Sequence, residues 1–161
     1  MSALSRKDLQ AGLGVVTRLE LYFSTRFITR TLRRFAQLLD NDYDTLMVFL
    51  VVAESCLQAI IPLGGSTADI ESLEKGYEDS ISLGLSALNI GEATGIPRET
   101  VRRKVKTLTD LGLLATAERS RHIYVPLRAL LEPEMLEVIR SVVGDASQFV
   151  KTVQFHSKGE P

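Results

Sequence analysis

The sequence contains no tryptophan, one cysteine and two histidines, and its apolar runs are short. The single cysteine, Cys56, cannot form a disulfide within one chain, which is typical of proteins in the reducing cytoplasm. The longest apolar run, from Leu46 to Ala53, has eight residues, far fewer than the ~18–20 that cross a bilayer. The first 15 residues lack the continuous apolar core of a signal peptide. We therefore expect a cytoplasmic protein with no membrane partner.

Motifs of catalytic and metal sites are missing as well. The chain has no HExxH pair, no P-loop, no nucleophile elbow and no glycine-rich dinucleotide turn. Neither His122 nor His156 has a carboxylate or cysteine at ligand spacing, and the acidic segment 69–79 does not match an EF-hand. The sequence therefore predicts a protein that is not an enzyme, holds no metal and needs no cofactor. The role of the acidic segment is left open.

Charge is distributed unevenly, although the net charge is only −1. Residues 1–39 contain seven basic and two acidic side chains, whereas residues 40–84 contain one basic and nine acidic side chains. Residues 85–126 are basic again, with seven basic and four acidic side chains. This segregation suggests two roles within one chain. The apolar content of 45% with only 6% aromatic residues favours a helical protein with an aliphatic core.

Two short helices joined by a turn are predicted between Ser86 and Gly112. Ser86 can cap the first helix, Ala87 to Thr94, because its hydroxyl can accept from free N–H groups of the first turn. Gly95 ends that helix, since glycine tolerates a positive φ, and Pro97 opens the second helix. The predicted inward-facing residues are apolar: Leu88 and Ile90 in the first helix, and Val101, Val105 and Leu108, spaced i, i+4 and i+7, in the second.

The second helix is predicted to present a basic face to solvent. At about 100° per residue, its charged side chains point away from Val101, and Arg98 lies to one side at the N-terminal end. The charged residues of this face are Glu99, Arg102, Arg103, Lys106 and Asp110. Two short helices of which the second is basic outside indicate a helix-turn-helix. Arginine suits base recognition because it can donate two hydrogen bonds to one guanine.

A short hairpin is predicted to follow the second helix. Leu113–Ala117 can form one strand and His122–Pro126 the return strand, with a polar tip between them. Arg119 and Arg121 at this tip are placed to reach phosphates or a minor groove. The tip contains no Asn-Gly or Asp-Gly turn, so the sequence leaves the register open. Residues 81–85 are predicted to add a short strand to this hairpin.

The stretch Gly95-Ile-Pro-Arg-Glu-Thr-Val-Arg-Arg-Lys-Val-Lys-Thr-Leu, followed by Leu111-Gly-Leu-Leu, resembles the winged helix-turn-helix of bacterial transcriptional regulators of the MarR, IclR and GntR types. The resemblance covers about 40 residues. It implies sequence-specific binding to double-stranded DNA, with residues 97–111 in the major groove and the wing, residues 117–122, on the backbone or in the minor groove. The residues implied to contact DNA are Arg98, Glu99, Thr100, Arg102, Arg103, Lys106, Arg119 and Arg121. Gly91 departs from the pattern, because such helices commonly have alanine there.

Other functions fit the same residues. A winged helix can serve as a protein–protein interaction module without DNA binding, because a fold alone does not give a function. The basic N-terminal helix could contact DNA phosphates or an anionic membrane surface. Glu99 also has two roles open to it. It can accept a hydrogen bond from a cytosine amine, or it can favour the helix N-terminus by its charge.

Long helices are predicted on both sides of this module. Residues 16–39 have a helical pattern. Its apolar face consists of Leu21, Ile28, Leu32, Phe35 and Leu39, and the opposite face of Arg26, Arg30 and Arg33. Residues 40–44 end this helix and cap the next, residues 45–61, whose apolar side chains point nearly all the way round, as in a buried core helix. After a turn at residues 126–131, a last helix opens at Pro133. Its heptad-like apolar seam is Met135, Ile139, Val142, Ala146, Phe149 and Val153, and it could break at Gly144.

These patterns divide the chain into N-terminal helices (1–61), an acidic linker (62–79), a winged helix-turn-helix (80–126) and a C-terminal helix (127–161). The flanking helices carry more apolar surface than the DNA-binding module needs to bury. We therefore predict a mostly α homodimer held together by its N-terminal and C-terminal helices. A groove between residues 16–61 and the C-terminal helix could hold a small apolar effector, although no residue pattern demands one.

Overall fold

The computed structural model describes residues 18–58, 84–118 and 120–157. In these ranges the chain is mostly helical, as predicted, with one small sheet. The acidic linker, Arg119 and residues 81–83 lie outside the described residues. The elements in chain order are α1 (Arg18–Gln37), α2 (Tyr43–Gln58), α3 (Ala87–Thr94), α4 (Arg98–Asp110), β1 (Ala115–Thr116), β2 (Ile123–Tyr124), α5 (Leu127–Leu131) and α6 (Pro133–Ser157). Among these helices, none has both the length and the apolar character of a membrane-spanning segment.

The chain divides into two compact units. The first, here called the central unit, is Ala36–Leu136, and the second, the hairpin unit, combines Met1–Phe35 with Glu137–Pro161. This grouping differs from the predicted division, which placed residues 45–61 with the N-terminal helix. The reason is that α2 packs directly against α3 and α4, so that it belongs to the same core as these two helices.

Helix α2 supplies more of the core of the central unit than any other element, as its pattern predicts. Seven of its residues are buried, and Cys56 among them is only 1% exposed, as expected of a small core residue. The fully buried residues that meet this helix come from several later elements. They are Ile90 of α3, Val101 and Leu108 of α4, Leu114 before β1, and Val125 after β2.

The turn between α1 and α2 is built from acidic and amide residues, as predicted. Asp40 and Asn41 both have a positive φ, 51° and 61°, a conformation that these two residue types tolerate better than most. Asp42 then caps α2, because its Oδ1 accepts a hydrogen bond from the backbone N–H of Thr45 at 3.1 Å.

The sheet is smaller than the predicted hairpin. Strands β1 and β2 are antiparallel and have two residues each, with Ala115 opposite Tyr124 and Thr116 opposite Ile123. These pairs define the register that the sequence leaves open. Leu85 adds a single antiparallel bridge to Ile123, with N···O distances of 2.9 and 2.8 Å. The end of the predicted strand 81–85 therefore does reach the hairpin, as one bridge.

The hairpin unit consists of two antiparallel helices, because Phe27 contacts Phe149 and Arg34, later in α1, contacts the earlier Asp145. The two phenylalanine rings stack with centroids 5.4 Å apart. The carboxylate of Asp145 lies 2.7 Å from Arg34 and 3.7 Å from the guanidinium of Arg30.

This packing corrects the predicted faces of α1. Leu21 and Ile28, predicted as inward-facing, are 61% and 55% exposed. Arg30, predicted on the outward face, turns to Asp145 instead. Asp145 on the inward face of α6 pairs with Arg30 and Arg34, and Leu21 and Ile28 lie on another face of α1.

Two further predictions about the last third of the chain need correction. Residues 127–131 are a short helix and not a turn, since Pro126 fixes φ at −62° and is followed by the good helix formers Leu127 to Leu131. Helix α6 continues through Gly144 without a break, because a single glycine costs roughly 1 kcal/mol and the surrounding turns bear that cost.

Candidate nucleic-acid interface

The first helix of the candidate site, α3, begins with a reciprocal cap. The backbone N–H of Asn89 donates to Ser86 Oγ at 3.2 Å, and Asn89 Oδ1 accepts from the backbone N–H of Ser86 at 3.4 Å. Asparagine here takes the place that glutamate or glutamine has in the usual capping box. Ile90 is buried as predicted, but Leu88 is 53% exposed. Two residues two positions apart are about 200° apart on a helix, so both could not face inward.

A rigid turn connects α3 to α4. Gly95 has a φ of 72° and its N–H donates to the carbonyl of Gly91 at 2.9 Å. The hydroxyl of Thr94 donates to the carbonyl of Ile90 at 2.7 Å and accepts from the N–H of Ile96 at 3.2 Å. The backbone polar groups of this turn are therefore largely satisfied locally, which holds the two helices at a defined angle.

Gly91 has a packing role in this turn. A Cβ atom placed on it would lie 3.2 Å from the carbonyl oxygen of Ile96 and 4.0 Å from Val101 Cγ2. The absence of a side chain thus lets the turn pack closely onto α3. This accounts for the glycine at this position.

Helix α4 has one face in the core and one in solvent. Val101 and Leu108 are fully buried, whereas Val105 is only partly buried. All six residues predicted on or beside the outward face are exposed, and Thr100 is partly buried. The exposed residues are Arg98, Glu99, Arg102, Arg103, Lys106 and Asp110. The face therefore presents four cations and two carboxylates.

Within this face, Arg102 and Glu99 form an ion pair. The Arg102 Nη1 lies 3.2 Å from Glu99 Oε1, and the two side chains are 61% and 81% exposed. An exposed pair of this kind contributes little to stability. It does orient the guanidinium of Arg102 along the helix surface, and it gives Glu99 a partner within the chain.

The structure adds one residue that the sequence analysis missed, Lys104. Its ammonium forms a short ion pair with the carboxylate of Asp42, and its side chain is only 15% exposed. The hydrogen bond from Lys104 lowers the pKa of Asp42 to about 2, with a smaller contribution from the Thr45 N–H and against the opposing effect of burial. The helical phase could have identified this residue, because Lys104 lies about 60° from Val101 around the helix axis.

The hairpin tip is closed by backbone hydrogen bonds. The N–H of Ala117 donates to the carbonyl of His122, and the N–H of Arg121 donates to the carbonyl of Ala117, both at 2.9 Å. Ser120 Oγ accepts from the N–H of His122 at 3.2 Å. Arg121 has a φ of 56° and an exposed side chain. The tip therefore presents at least one arginine to solvent at a fixed backbone position.

The site contains hydrogen-bond donors for phosphates and bases, and no assembly for catalysis is evident in it. Within the described residues, no group of three or more histidine, cysteine or acidic side chains is arranged to hold a metal ion. Comparison with known proteins adds nothing to this geometry, because no family model, curated protein or solved structure matches the chain.

Proposed function

We propose that the chain is a transcriptional regulator that binds double-stranded DNA in a sequence-specific manner through a winged helix-turn-helix. In this proposal α3 and α4 are the two helices of the motif, and α4 is the recognition helix. The hairpin β1–β2 is the wing. The chain order of helix, tight turn, helix and antiparallel hairpin supports it.

The observation that carries the proposal is the division of α4 into an anchored face and a free, basic face. Val101 and Leu108 are fully buried, so the helix cannot turn its outward residues inward. Arg98, Arg102 and Arg103 then lie in the N-terminal half of the exposed face, the part of a recognition helix that comes nearest to base edges. Arginine at such positions can bind guanine through two hydrogen bonds.

The same face argues against a protein–protein interaction module. The centres of protein interfaces are depleted of charged side chains and enriched in aromatic ones. The outward residues of α4 are charged, and Thr107 and Thr109 are the uncharged side chains among the exposed residues of the helix. A nucleic-acid backbone is the macromolecular surface that such a composition fits best.

A homodimer is the second part of the proposal. Ile28 and Val150 each follow a phenylalanine of the stacked pair, so each is rotated by about 100° from it in the same sense. Because the two helices are antiparallel, this rotation places both residues on the same face of the hairpin unit. Leu21 and Val143 lie one heptad earlier on that face, and all four are 48–61% exposed. A second copy would cover this apolar stripe and complete a four-helix arrangement.

The proposal is tested by selecting duplexes from a random pool and measuring the affinity of the selected sequence against salt. Binding should weaken steeply as salt rises, because each phosphate contact releases counterions. The triple variant Arg102→Ala, Arg103→Ala, Lys106→Ala should lose this binding, whereas Arg128→Ala, an exposed arginine on α5, should retain it. Binding that is absent, or that is the same for both variants, would reject the proposal.

A further inference from the structure

A groove in the central unit lies beyond the C-terminal end of α4. Its apolar walls come from the end of α4, the segment that precedes α2 and the start of α6, and its volume is about 520 Å³. This falls within the ~300–1,000 Å³ typical of small-molecule sites. The principal lining residues are Leu38, Leu111, Leu113, Met135, Glu132 and Glu134.

The groove offers a ligand an apolar surface that the protein itself leaves open. Leu111 is 59% exposed, while Met135 at the other wall is only 4% exposed. Backbone hydrogen bonds hold the leucine wall in place: the N–H of Leu111 donates to the carbonyl of Thr107 at 3.1 Å, and that of Leu113 to Leu108 at 2.9 Å. The groove is therefore largely preformed and would not have to be built by the ligand.

Two carboxylates at the rim determine the charge of the ligand. Glu132 and Glu134 are both exposed, and neither carboxylate has a hydrogen bond or an ion pair with another described residue. Their backbone is held at the start of α6, where the carbonyl of Glu132 accepts from the N–H of Leu136 at 2.9 Å. Among the described residues, no basic side chain lines the groove. The two carboxylates would therefore repel an anion and attract a cation.

We propose that this groove binds a small apolar cation, an amine or quaternary ammonium ion carrying a hydrocarbon body. The hydrocarbon would lie against Leu111, Leu113 and Met135, and the positive charge would lie between the two glutamates. The expected sources of affinity are burial of apolar surface and the attraction of one cation to two carboxylates. The proposal goes beyond DNA binding and does not depend on it.

The sequence analysis expected a groove for an apolar effector between residues 16–61 and the C-terminal segment, and Leu38 with Glu132, Glu134 and Met135 gives this groove a wall from each of those parts. A second groove also lies between them. Between α1 and α6 of the hairpin unit, the structure has a groove of about 90 Å³ lined by Phe23, Phe27 and Phe149 with Arg26 and Arg30. Its volume is below the range typical of small-molecule sites, and Asp145, which also lines it, is already paired with Arg30. The two grooves therefore differ in size and in whether their carboxylates have partners within the chain.

Methionine-methyl NMR on the full chain without DNA tests the proposal directly. The chain has three methionines; of the two that the structure describes, Met47 and Met135, only Met135 lines the groove. Titration with benzyltriethylammonium should shift the Met135 methyl signal with a Kd of about 0.1–1 mM, while the signal of Met47 on α2 serves as an internal control. The anion para-tert-butylbenzoate, of similar size, should leave Met135 unchanged over the same range.

Charge variants then separate the carboxylates from the apolar walls. Glu132→Gln with Glu134→Gln preserves the shape of the rim and should weaken binding of the cation about tenfold. Glu137→Gln, one turn later on α6, should bind it like the wild type. The proposal is overturned if the anion binds as well as the cation, if the double glutamine variant binds the cation unchanged, or if no Met135 shift occurs up to ~10 mM. A Met135 signal that depends on protein concentration, without any ligand, would assign the groove to a second copy and also overturn it.

Discussion

The ammonium of Lys104 is paired with the carboxylate of Asp42, 62 residues earlier in the chain. The pair connects the middle of α4 to the turn that precedes the core helix α2. Asp42 also caps α2 through its other oxygen. One carboxylate thus fixes the start of the core helix and the rotation of α4 about its own axis.

The first prediction distinguishes the Lys104–Asp42 ion pair from the exposed face of α4 that we propose contacts DNA. Lys104→Met should lower the free energy of unfolding by about 0.5–1 kcal/mol, because it removes a partly buried ion-pair partner. Lys106→Met, two residues away and fully outward, should leave stability unchanged and weaken duplex binding. Thermal melts and salt titrations of both variants check this. If Lys106→Met were destabilised and Lys104→Met were as stable as the wild type, the assignment of inward and outward faces of α4 would be wrong.

The pH dependence of stability provides a second test of the same pair. The pKa of Asp42 is lowered in the folded chain from its usual 3.8 to about 2, so the unfolded chain takes up the proton first as the pH falls. The stabilisation is therefore fully present above pH 3.8 and is lost as the pH falls towards 2. Urea unfolding of wild type and Asp42→Asn should differ at neutral pH by less than about 1 kcal/mol, because the carboxylate is 39% exposed. This difference in the free energy of unfolding between wild type and Asp42→Asn should vanish as the pH approaches 2.

A third prediction concerns base recognition. Arg103→Ala should weaken binding to a selected duplex by roughly 1–3 kcal/mol, if its guanidinium donates to a base. The melting temperature of the Arg103→Ala variant should equal that of the wild type, since the side chain of Arg103 is exposed. Competition against a randomised duplex distinguishes a contact to a base from a contact to a phosphate. Equal losses for both duplexes would place Arg103 on a phosphate.

A fourth prediction concerns the hairpin tip. Changing Arg119 and Arg121 together to alanine should lower the affinity for all duplexes alike and flatten the salt slope by about one to two units. A change in the DNA sequence that the variant prefers would instead mean that the tip of the β1–β2 hairpin contacts bases or recognises the width of a groove. Unchanged affinity would mean that the β1–β2 hairpin does not contact DNA.

The fifth prediction concerns assembly. Phe149 belongs to the apolar seam predicted from the sequence, but its ring stacks on Phe27 of the same chain, so its replacement would damage the hairpin unit itself. Ile28→Glu changes an exposed residue of the apolar stripe and should dissociate the dimer without unfolding the monomer. Thr29→Glu, also exposed and rotated by about 100°, is the matched control. Ultracentrifugation would contradict the dimer if wild type and Ile28→Glu were both monomeric.

The α3–α4 region could be predicted closely because its signals are local. A capping serine, a glycine and a proline mark the helix ends within a few residues of where they act, and the structure places α3 at Ala87–Thr94 with Gly95 in the left-handed conformation. The pairing of Ser86 with Asn89 shows why: the interactions that end and start these helices are made by immediate neighbours.

Features that depend on distant residues could not be predicted in the same way. The arginines of α1 that turn inward pair with Asp145, which follows Arg30 by more than 100 residues. Lys104 pairs with Asp42, again far away in sequence. A periodic apolar pattern does not contain the position of a charge on another helix, so these pairings could not be read from the sequence.

The division of α4 has a consequence for how such a protein could change over time. The residues that hold the helix, Val101, Leu108 and Lys104, are buried or largely buried, whereas Arg98, Arg103 and Lys106 are exposed. Substitutions on the outward face should therefore be nearly neutral for folding. If α4 recognises DNA as proposed, a lineage could change its target sequence one base contact at a time, while every intermediate remained a folded protein.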